Sequence, residues 1–223
     1  MDFAIPQVRV QQGFVAPASR RHFLRHAEGE EKRQMLSPAA EQVVSLPLAR
    51  IIVKNGVKIR IMSRKVTAIG LISDTHGLLR QEALHALEGS ELIIHAGDVG
   101  KSEIIDTLKA IAPVFAVRGN VDTESWASAL PETEVVTTGT ATIYVLHDVH
   151  ALDLNPAAAG FQIVVSGHSH KPGRMDSGGV LYINPGSAGP RRFQLPVTIA
   201  RLDLAQTPWK VDFINLCSTS IKD

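Results

Sequence analysis

Short apolar runs alternate with amphipathic stretches along the chain from Val66 onward. Three of these runs are typical of buried strands: VTAIGLIS (66–73), ELIIHAGD (91–98) and PVFAVRGN (113–120). Between them, QEALHALEG and SEIIDTLKAIA have the spacing of helices, and Gly89 is typical of a residue that ends a helix. Strands that alternate with helices predict parallel β-α-β units.

The second half of the chain is richer in strands than in helices. Six runs there have strand character: EVVTT, TIYVLH, QIVVSG, VLYINP, VTIARLDL and KVDFINL. Glycines at positions 139, 178, 179 and 186 predict turns between them. An α/β first half followed by a strand-rich second half predicts two stacked sheets with helices outside.

Residues 1–61 have a different composition and predict a basic N-terminal extension, followed by a domain over residues 62–223. Residues 1–65 carry 12 Lys and Arg against 5 Asp and Glu, whereas residues 66–223 carry 11 against 17. A short helix at residues 38–44 and a strand in IIVKNGVKIRI (51–61) are compatible with the pattern, but neither predicts a core. Four interpretations of the extension remain open: a flexible segment, an over-long start, a regulatory tail and a targeting leader.

The acidic charge of residues 66–223 suits cation binding and gives no electrostatic attraction to nucleic acid. The sequence has no apolar run of membrane-spanning length and no apolar core of a secretory signal. Its single cysteine, Cys217, cannot form an internal disulfide. These features predict a cytoplasmic protein without a membrane partner.

Polar residues follow the apolar strands at the points where the strands stop. They are Asp74, His76, Asp98, Asn120, His147, His168 and His170. The carboxyl ends of parallel strands are where open α/β folds place ligands. Carboxylate, amide and imidazole donors without a thiolate suit Mn²⁺, Fe or Zn²⁺. Seven donors are too many for one ion and enough for two that share a carboxylate.

The ordered motifs DTH (74–76), GD (97–98), GN (119–120), His147 and GHSH (167–170) resemble those of the calcineurin-like metallophosphoesterases. VRGNVD and the closing NPGS resemble the small YfcE-type phosphodiesterase branch, and the resemblance covers residues 66–203. It implies a four-layer α/β/β/α sandwich of two mixed sheets flanked by helices.

The resemblance also implies a ligand set for two metal ions. One metal would be held by Asp74, His76, Asp98 and His170, and the other by Asp98, Asn120, His147 and His168. Asp98 would be shared by the two ions, which would supply a hydroxide for in-line attack on phosphorus. Mn²⁺ is the expected metal, with Ni²⁺, Fe²⁺ and Zn²⁺ as alternatives.

Two positions depart from the family pattern. Val121 stands where many members have a histidine that protonates the leaving oxygen, and Asp148 stands where glycine is usual. Without that acid an alkyl monoester is a poor substrate, so we expect a phosphodiesterase that acts on a small phosphoester. The alternatives are a phosphomonoesterase, a non-catalytic protein-binding scaffold such as the retromer subunit of this branch, and a nuclease associated through the basic extension. The sequence is also compatible with a homo-oligomer.

Three further sets of residues each have two interpretations. His150 is either a substitute proton donor or a loop residue, and Arg118 either contacts substrate phosphate or pairs with Asp122. Arg191 and Arg192 either contact phosphate or are solvated charges, and the second interpretation is favoured. His95, inside a strand, is expected to be a core histidine that supports the ligands.

Overall fold

The computed structural model describes residues 49–54 and 57–217. The helix predicted at residues 38–44 and most of the predicted extension lie outside these residues. No helix in the described ranges is long and apolar enough to cross a membrane.

Twelve strands and two α-helices make up the described fold. The strands are β1 (Ala49–Lys54), β2 (Val57–Met62), β3 (Ala68–Ile72), β4 (Leu92–His95), β5 (Val114–Ala116), β6 (Thr133–Thr137), β7 (Thr142–Leu146), β8 (Ile163–Val165), β9 (Gly173–Ser177), β10 (Val180–Asn184), β11 (Thr198–Asp203) and β12 (Lys210–Asn215). The helices are α1 (Gln81–Leu87) and α2 (Ser102–Lys109). Short 3₁₀ helices lie at Ser125–Ala129 and Val149–Ala151.

The strands form two mixed sheets, as the sequence predicts. The seven-stranded sheet has the order β1-β2-β6-β7-β8-β10-β9, and the five-stranded sheet has the order β12-β11-β3-β4-β5. Strands β3, β4 and β5 are parallel, as are β7, β8 and β10. The five-stranded sheet is therefore antiparallel at its β12–β11 side and parallel through to its edge strand β5, whereas the seven-stranded sheet has an antiparallel pair at each edge. The predicted α/β class with two mixed sheets is therefore confirmed.

The main core lies between the two sheets. It combines alternate residues of the five-stranded sheet, such as Leu71 and Ile94, with residues of the seven-stranded sheet, such as Val145 and Val165. All four of these side chains have 1 % or less of their surface exposed. Period-two alternation places one set of strand residues in this core and leaves the other set for the outer faces.

The outer face of the five-stranded sheet is covered by α1 and α2. Leu87 and Leu108 pack there against Ile93 and Ile199. Gly70 of β3 allows close approach, because a Cβ at this position would lie 2.4 Å from Leu87 Cδ2.

The outer face of the seven-stranded sheet is covered differently from the α layer that the family resemblance implies. Tyr144 and Leu146 of β7 pack there against Leu152, Leu154 and Phe161. These three lie on the stretch after the Val149–Ala151 3₁₀ helix, so in the described chain a short turn and a loop replace a full α-helix on this side.

Residues ahead of the boundary predicted at position 62 belong to the seven-stranded sheet. β1 and β2 form an antiparallel hairpin, and β2 pairs in parallel with β6. Arg60 of β2 forms an ion pair with the buried Glu134 of β6 and lies 4.3 Å from the centre of the Phe115 ring. The strand that the pattern of residues 51–61 indicates is thus present as a hairpin, and its hydrogen bonds and Arg60 join it to the sheet.

The sequence analysis did not predict β9. All five of its residues are exposed, so the strand has no alternation of apolar and polar positions. It forms because the predicted turn at Gly178 and Gly179 folds it back onto β10.

Candidate dinuclear metal centre

Five strands deliver the candidate ligands at their carboxyl ends. Asp74 and His76 follow β3, Asp98 follows β4 and Asn120 follows β5. From the other sheet, His147 follows β7 and the two histidines of GHSH follow β8. The carboxyl ends of the two sets of parallel strands meet, and all seven predicted residues lie in one cluster.

One half of the cluster consists of Asp74, His76 and His170. The Nε2 atom of His170 lies 3.2 Å from Asp74 Oδ1, and His76 Nε2 lies 3.9 Å from the same oxygen. The two histidine Nε2 atoms are 3.3 Å apart. Asp74 Oδ1 is buried and has no hydrogen-bond partner among the described residues. Three donor atoms thus face one small volume, as a cation site requires.

The other half consists of Asn120, His147 and His168. Asn120 Oδ1 lies 3.1 Å from His147 Nε2 and 3.2 Å from His168 Nδ1. Asp98 lies between the halves, because its Oδ2 is 3.7 Å from His76 Nε2 and 3.4 Å from His147 Nε2. This is the position that a bridging carboxylate would need.

Each carboxylate has one oxygen held by the protein and one directed at the cluster. Asp74 Oδ2 accepts hydrogen bonds from the Ser73 hydroxyl (2.6 Å) and the His168 backbone N–H (3.2 Å). Asp98 Oδ1 accepts one from the Val121 N–H at 3.0 Å. The remaining oxygens, Asp74 Oδ1 and Asp98 Oδ2, are the ones that face the histidines. Fixing one oxygen orients the other for a ligand.

A backbone contact fixes the tautomer of His147. Its Nδ1 lies 2.8 Å from the carbonyl oxygen of Ala96, which can only accept a hydrogen bond. The proton of the neutral ring therefore sits on Nδ1, and the lone pair on Nε2 points at Asp98 and Asn120. A neutral imidazole in this orientation is suited to bind a metal.

Five of the seven residues have a left-handed backbone conformation. The φ angles are 53° for Asp74, 46° for His76, 53° for Asp98, 66° for His168 and 59° for His170. Left-handed φ is uncommon for residues other than glycine and clusters at functional sites.

Gly119 allows the backbone to pass close to Asp98. A Cβ at position 119 would lie 2.1 Å from both the backbone nitrogen and Oδ1 of Asp98. A side chain there would displace the bridging carboxylate, so this position requires glycine.

Burial shifts the pKa values of the cluster in opposite directions for acids and bases. It raises the pKa of Asp74 to about 6, although the Ser73 hydroxyl and His147 act against it. It lowers the pKa of His170 to about 4, with help from Arg192, and lowers the pKa of His76 as well. For Asp98, burial is outweighed by the neighbouring His147 side chain and by the hydrogen bond from the Val121 N–H, which leave its pKa below the ordinary value. His76 and His170 are therefore neutral near pH 7, as metal ligands must be. For His147, burial is outweighed by its contacts with Asp98 and the Ala96 carbonyl, which leave its pKa above the ordinary value.

The donor chemistry fits divalent cations. The centre combines two inward carboxylate oxygens, one amide oxygen and four imidazoles, and Asp74 Oδ1 is buried without a partner that would stabilise its charge. A cation would supply that stabilisation and favour the ionised form of Asp74.

Arg118 and Asp122 do not pair with each other. Arg118 donates a hydrogen bond to Glu132 at 2.5 Å. Asp122 accepts hydrogen bonds from the backbone N–H groups of Val99, Gly100 and Gly119 at 2.8–3.1 Å. Asp122 thus ties the loop after β5 to the loop after β4, a positioning role that the sequence analysis missed. Arg118 remains close to Asn120 in the groove described below.

His150 lies away from the cluster. It is exposed on the 3₁₀ helix at Val149–Ala151, and its backbone N–H donates to Asp148 Oδ1. In the described ranges no hydrogen bond or ion pair joins its ring to the seven residues. Asp148 does reach the cluster, since its Oδ2 is 3.8 Å from His168 Nε2.

Arg192 reaches the opposite side of the centre. Its Nη2 lies 3.3 Å from His76 Nε2, so the arginine points at the cluster and not into solvent alone. The loop that carries it follows NPGS, in which the Ser187 hydroxyl donates to the Asp74 carbonyl at 2.9 Å and Asn184 donates to the Gly167 carbonyl at 2.6 Å. The structure therefore brings to the centre an arginine that the sequence analysis favoured as a solvated charge.

His95 is fully buried behind the ligands. Its Nε2 lies 3.0 Å from the Thr75 hydroxyl, and burial lowers its pKa to about 3. It is a neutral core histidine that contacts the residue between Asp74 and His76, in agreement with the prediction.

A groove of about 980 Å³ opens beside the Asn120, His147 and His168 side of the centre. Its floor and walls include Tyr144, Leu146 and Leu154, and acidic side chains lie on its rim.

Comparison with known proteins now identifies the family. The sequence pattern of the calcineurin-like phosphoesterase superfamily domain matches residues 68–207. The chain belongs to this superfamily. A probable metallophosphoesterase of Methanocaldococcus jannaschii is 36 % identical over 132 residues, which are 53 % of this chain and 67 % of that protein.

Solved structures of the superfamily share the fold with this calcineurin-like phosphoesterase. YfcE, a phosphoesterase from E. coli, superposes with a TM-score of 0.53 at 24 % identity, covering 70 % of this chain and 97 % of YfcE. An archaeal phosphodiesterase gives 0.57 at 24 % identity over 66 % and 99 % of the two chains. Vps29 of Chaetomium thermophilum gives 0.55 at 16 % identity over 66 % and 97 %. The fold is thus similar to that of two phosphoesterases, YfcE among them, and of a vacuolar sorting protein.

Proposed function

We propose that this protein is a phosphodiesterase that depends on two divalent metal ions. The observation that carries the proposal is the pair of inward carboxylate oxygens, Asp74 Oδ1 and Asp98 Oδ2, surrounded by four histidines. A protein-binding scaffold has no need for two buried carboxylates that each direct one oxygen at a cluster of histidines.

The residues would hold two ions that share Asp98. Asp74, His76 and His170 would complete one site, and Asn120, His147 and His168 the other. Two bound cations would supply a hydroxide nucleophile near neutral pH and would offset charge on the phosphoryl oxygens. Mn²⁺ is our first choice because the donors are oxygen and nitrogen only.

Side chains around the centre would bind the phosphoryl group. The Arg192 guanidinium beside His76 is placed to donate to a non-bridging oxygen. Asn120 lies at the other side of the centre, and its side-chain N–H groups are suited to the same oxygens. Arg118, which is held by Glu132, lies further along the groove.

Preference for a diester rests on Val121. This side chain is 41 % exposed next to Asn120 and carries no proton to give. A monoester with an alkoxide leaving group needs a general acid, whose help is worth roughly 10²–10⁴-fold. A diester with a good leaving group needs this help less. The archaeal phosphodiesterase of the same fold agrees with this assignment.

A metal-reconstitution experiment tests the proposal. The protein is stripped with chelator, given Mn²⁺, and assayed with bis-p-nitrophenyl phosphate and with p-nitrophenyl phosphate. We expect diester hydrolysis to return with Mn²⁺ and to be lost in Asp98→Ala, since the bridge is gone. Calorimetric titration should show two ions bound to the wild type and weaker binding to the variant.

Asp106→Ala provides a matched control, because Asp106 is an exposed aspartate of α2 outside the centre. It should retain both activity and metal binding. If the protein bound two ions but hydrolysed neither ester, that result would contradict the proposed enzymatic function and favour a protein-binding role. A marked preference for the monoester would contradict the diester assignment.

We place the protein in the cytoplasm, because its single cysteine needs no oxidising compartment.

A further inference from the structure

The groove beside the metal centre has the features of a binding site for one ester group of the substrate. It encloses about 980 Å³, and three of its lining residues are Asn120, His147 and His168. We propose that it accepts an ester group that is uncharged or cationic and disfavours one that carries negative charge. This inference rests on the proposed phosphodiesterase function.

The groove lies directly beside the proposed metal centre. Asn120, His147 and His168 belong both to the metal centre and to the groove. A phosphorus atom bound at the centre therefore has the groove directly beside it. One of the two ester oxygens of a diester would point into this space, and the group attached to it would lie along the groove.

The groove is preformed and has an apolar floor. Tyr144 and Leu146 of β7 are only 4 % and 3 % exposed, so packing fixes them. The Tyr144 ring stacks on Phe161 with centroids 5.0 Å apart and an interplanar angle of 4°. Leu130 and Leu154 add to the apolar walls. An apolar ester group would bind here without rearrangement of the floor.

The side chains that line the groove carry more negative than positive charge. The groove is lined by one arginine, Arg118, and three carboxylates. Arg118 is already paired with Glu132 at 2.5 Å. Asp148 lies 3.8 Å from His168 Nε2, and in the described chain neither Asp148 nor Asp153 has a Lys or Arg partner. The groove thus carries uncompensated negative charge, which repels an anionic ester group and attracts a cationic one.

The opposite side of the centre carries positive charge. Arg192 lies beside His76, across the cluster from Asp148. A substrate with an anionic phosphoryl group and a neutral or cationic ester group matches this polarity when its ester group lies in the groove. Electrostatics of this kind acts on specificity more than on total affinity.

Three p-nitrophenyl phosphodiesters of matched size test the inference. Their second ester groups are choline, its uncharged isostere 3,3-dimethylbutanol and a carboxylate-terminated alcohol of similar length. We expect kcat/KM with the Mn²⁺-loaded wild type to fall in that order, by about two- to fivefold per step. The differences should shrink in 0.5 M salt, at which the Debye length is only about 4 Å.

Variants identify the groove as the source of the selectivity. Asp153→Asn removes one rim carboxylate that contacts no proposed metal ligand, and it should raise kcat/KM for the carboxylate ester most. The control Asp106→Asn removes an equally exposed aspartate on α2 and should leave the order and its spacing unchanged.

Each outcome separates this inference from the proposed function. Equal kcat/KM for the three diesters, or selectivity that Asp153→Asn does not alter, would overturn the groove assignment while leaving the phosphodiesterase in place. A preference for the carboxylate ester would overturn it as well. Failure to hydrolyse any of the three, or bis-p-nitrophenyl phosphate, would overturn both.

Discussion

Val121 is the residue at which this centre departs most from the pattern its motifs resemble. Its backbone N–H holds Asp98 Oδ1, while its exposed side chain offers no proton to a leaving group. The backbone contribution is independent of the side chain, so the side chain can be changed without removing the hydrogen bond to the bridge. The diester preference is therefore open to a direct test at one position.

We predict that Val121→His increases hydrolysis of an alkyl monoester such as glycerol 2-phosphate. An imidazole there would protonate the leaving alkoxide, and kcat/KM should rise about 10–10²-fold, below the full value of an evolved acid. Phosphate release measures the rate, with bis-p-nitrophenyl phosphate as the reference substrate. Val121→Ala is the control for side-chain removal, and a histidine variant no faster than this alanine variant would refute the argument.

At this scale the sequence predicts the cluster of seven candidate ligands and misses their surroundings. Each of the seven ligands follows a strand, so local pattern was enough to bring them together. Arg192 reaches His76 only because NPGS anchors its loop to Asp74 and Gly167, which are far away in sequence. Asp122 likewise acts through backbone groups of another loop, and neither contact has a local signal.

Helix α1 illustrates how an element depends on the residue opposite it. Gly70 of β3 leaves the space that Leu87 fills, and Leu87 is fully buried. A Cβ at position 70 would also lie 2.9 Å from the Ser90 hydroxyl oxygen. The absence of a Cβ at Gly70 therefore sets the distance between α1 and the five-stranded sheet.

Gly70→Ala should lower the free energy of unfolding by about 1–3 kcal/mol, since Leu87 must move out of a well-packed site. Gly173→Ala is the matched control, because a Cβ on this strand residue meets nothing within 4 Å. Urea unfolding of both variants gives the comparison. Equal stability of the two alanine variants would mean that α1 packs less closely on the sheet than described.

The predictable elements were those with a buried face. Strands β3, β4 and β8 are almost entirely buried, so their apolar runs identify them. β9 is fully exposed and is defined by its pairing with β10 alone. The family resemblance implied helices on both outer faces, whereas Leu152, Leu154 and Phe161 cover one of them from a loop.

At the scale of the whole molecule, the seven-stranded sheet includes strands that lie ahead of Met62 in the chain. The β1–β2 hairpin gives β6 a neighbour, and Val57 and Ile59 pack onto the cluster around Tyr144. Glu134, whose side chain is 1 % exposed, forms its ion pair with Arg60. The sequence indicates the strand pattern of residues 51–61, whereas only the pairing with β6 shows that these residues belong to the sheet. We propose that the basic extension ends ahead of Ala49.

A chain that begins at Met62 should therefore be less stable than one that begins at Ala49. Removal of the hairpin exposes the edge of β6 and leaves Glu134 without Arg60, and loss of one partner of a buried pair costs about 3–5 kcal/mol. Thermal unfolding should show a Tm lower by about 10 °C or more. The chain from Ala49 should match the full-length protein. Equal Tm values for the two shortened chains would contradict the role of the hairpin, and a large loss from removal of residues 1–48 would contradict their assignment as an extension.

The left-handed backbone of five candidate ligands has an evolutionary consequence. Such conformations are less strained for glycine than for aspartate or histidine, so replacing one of these residues by glycine relieves strain that the native centre maintains. Loss of catalysis would then come with a gain in stability, the usual direction of a trade-off between activity and stability. A lineage of this fold that no longer needs the reaction has no energetic barrier to losing the centre, and its rigid surface remains available for other uses.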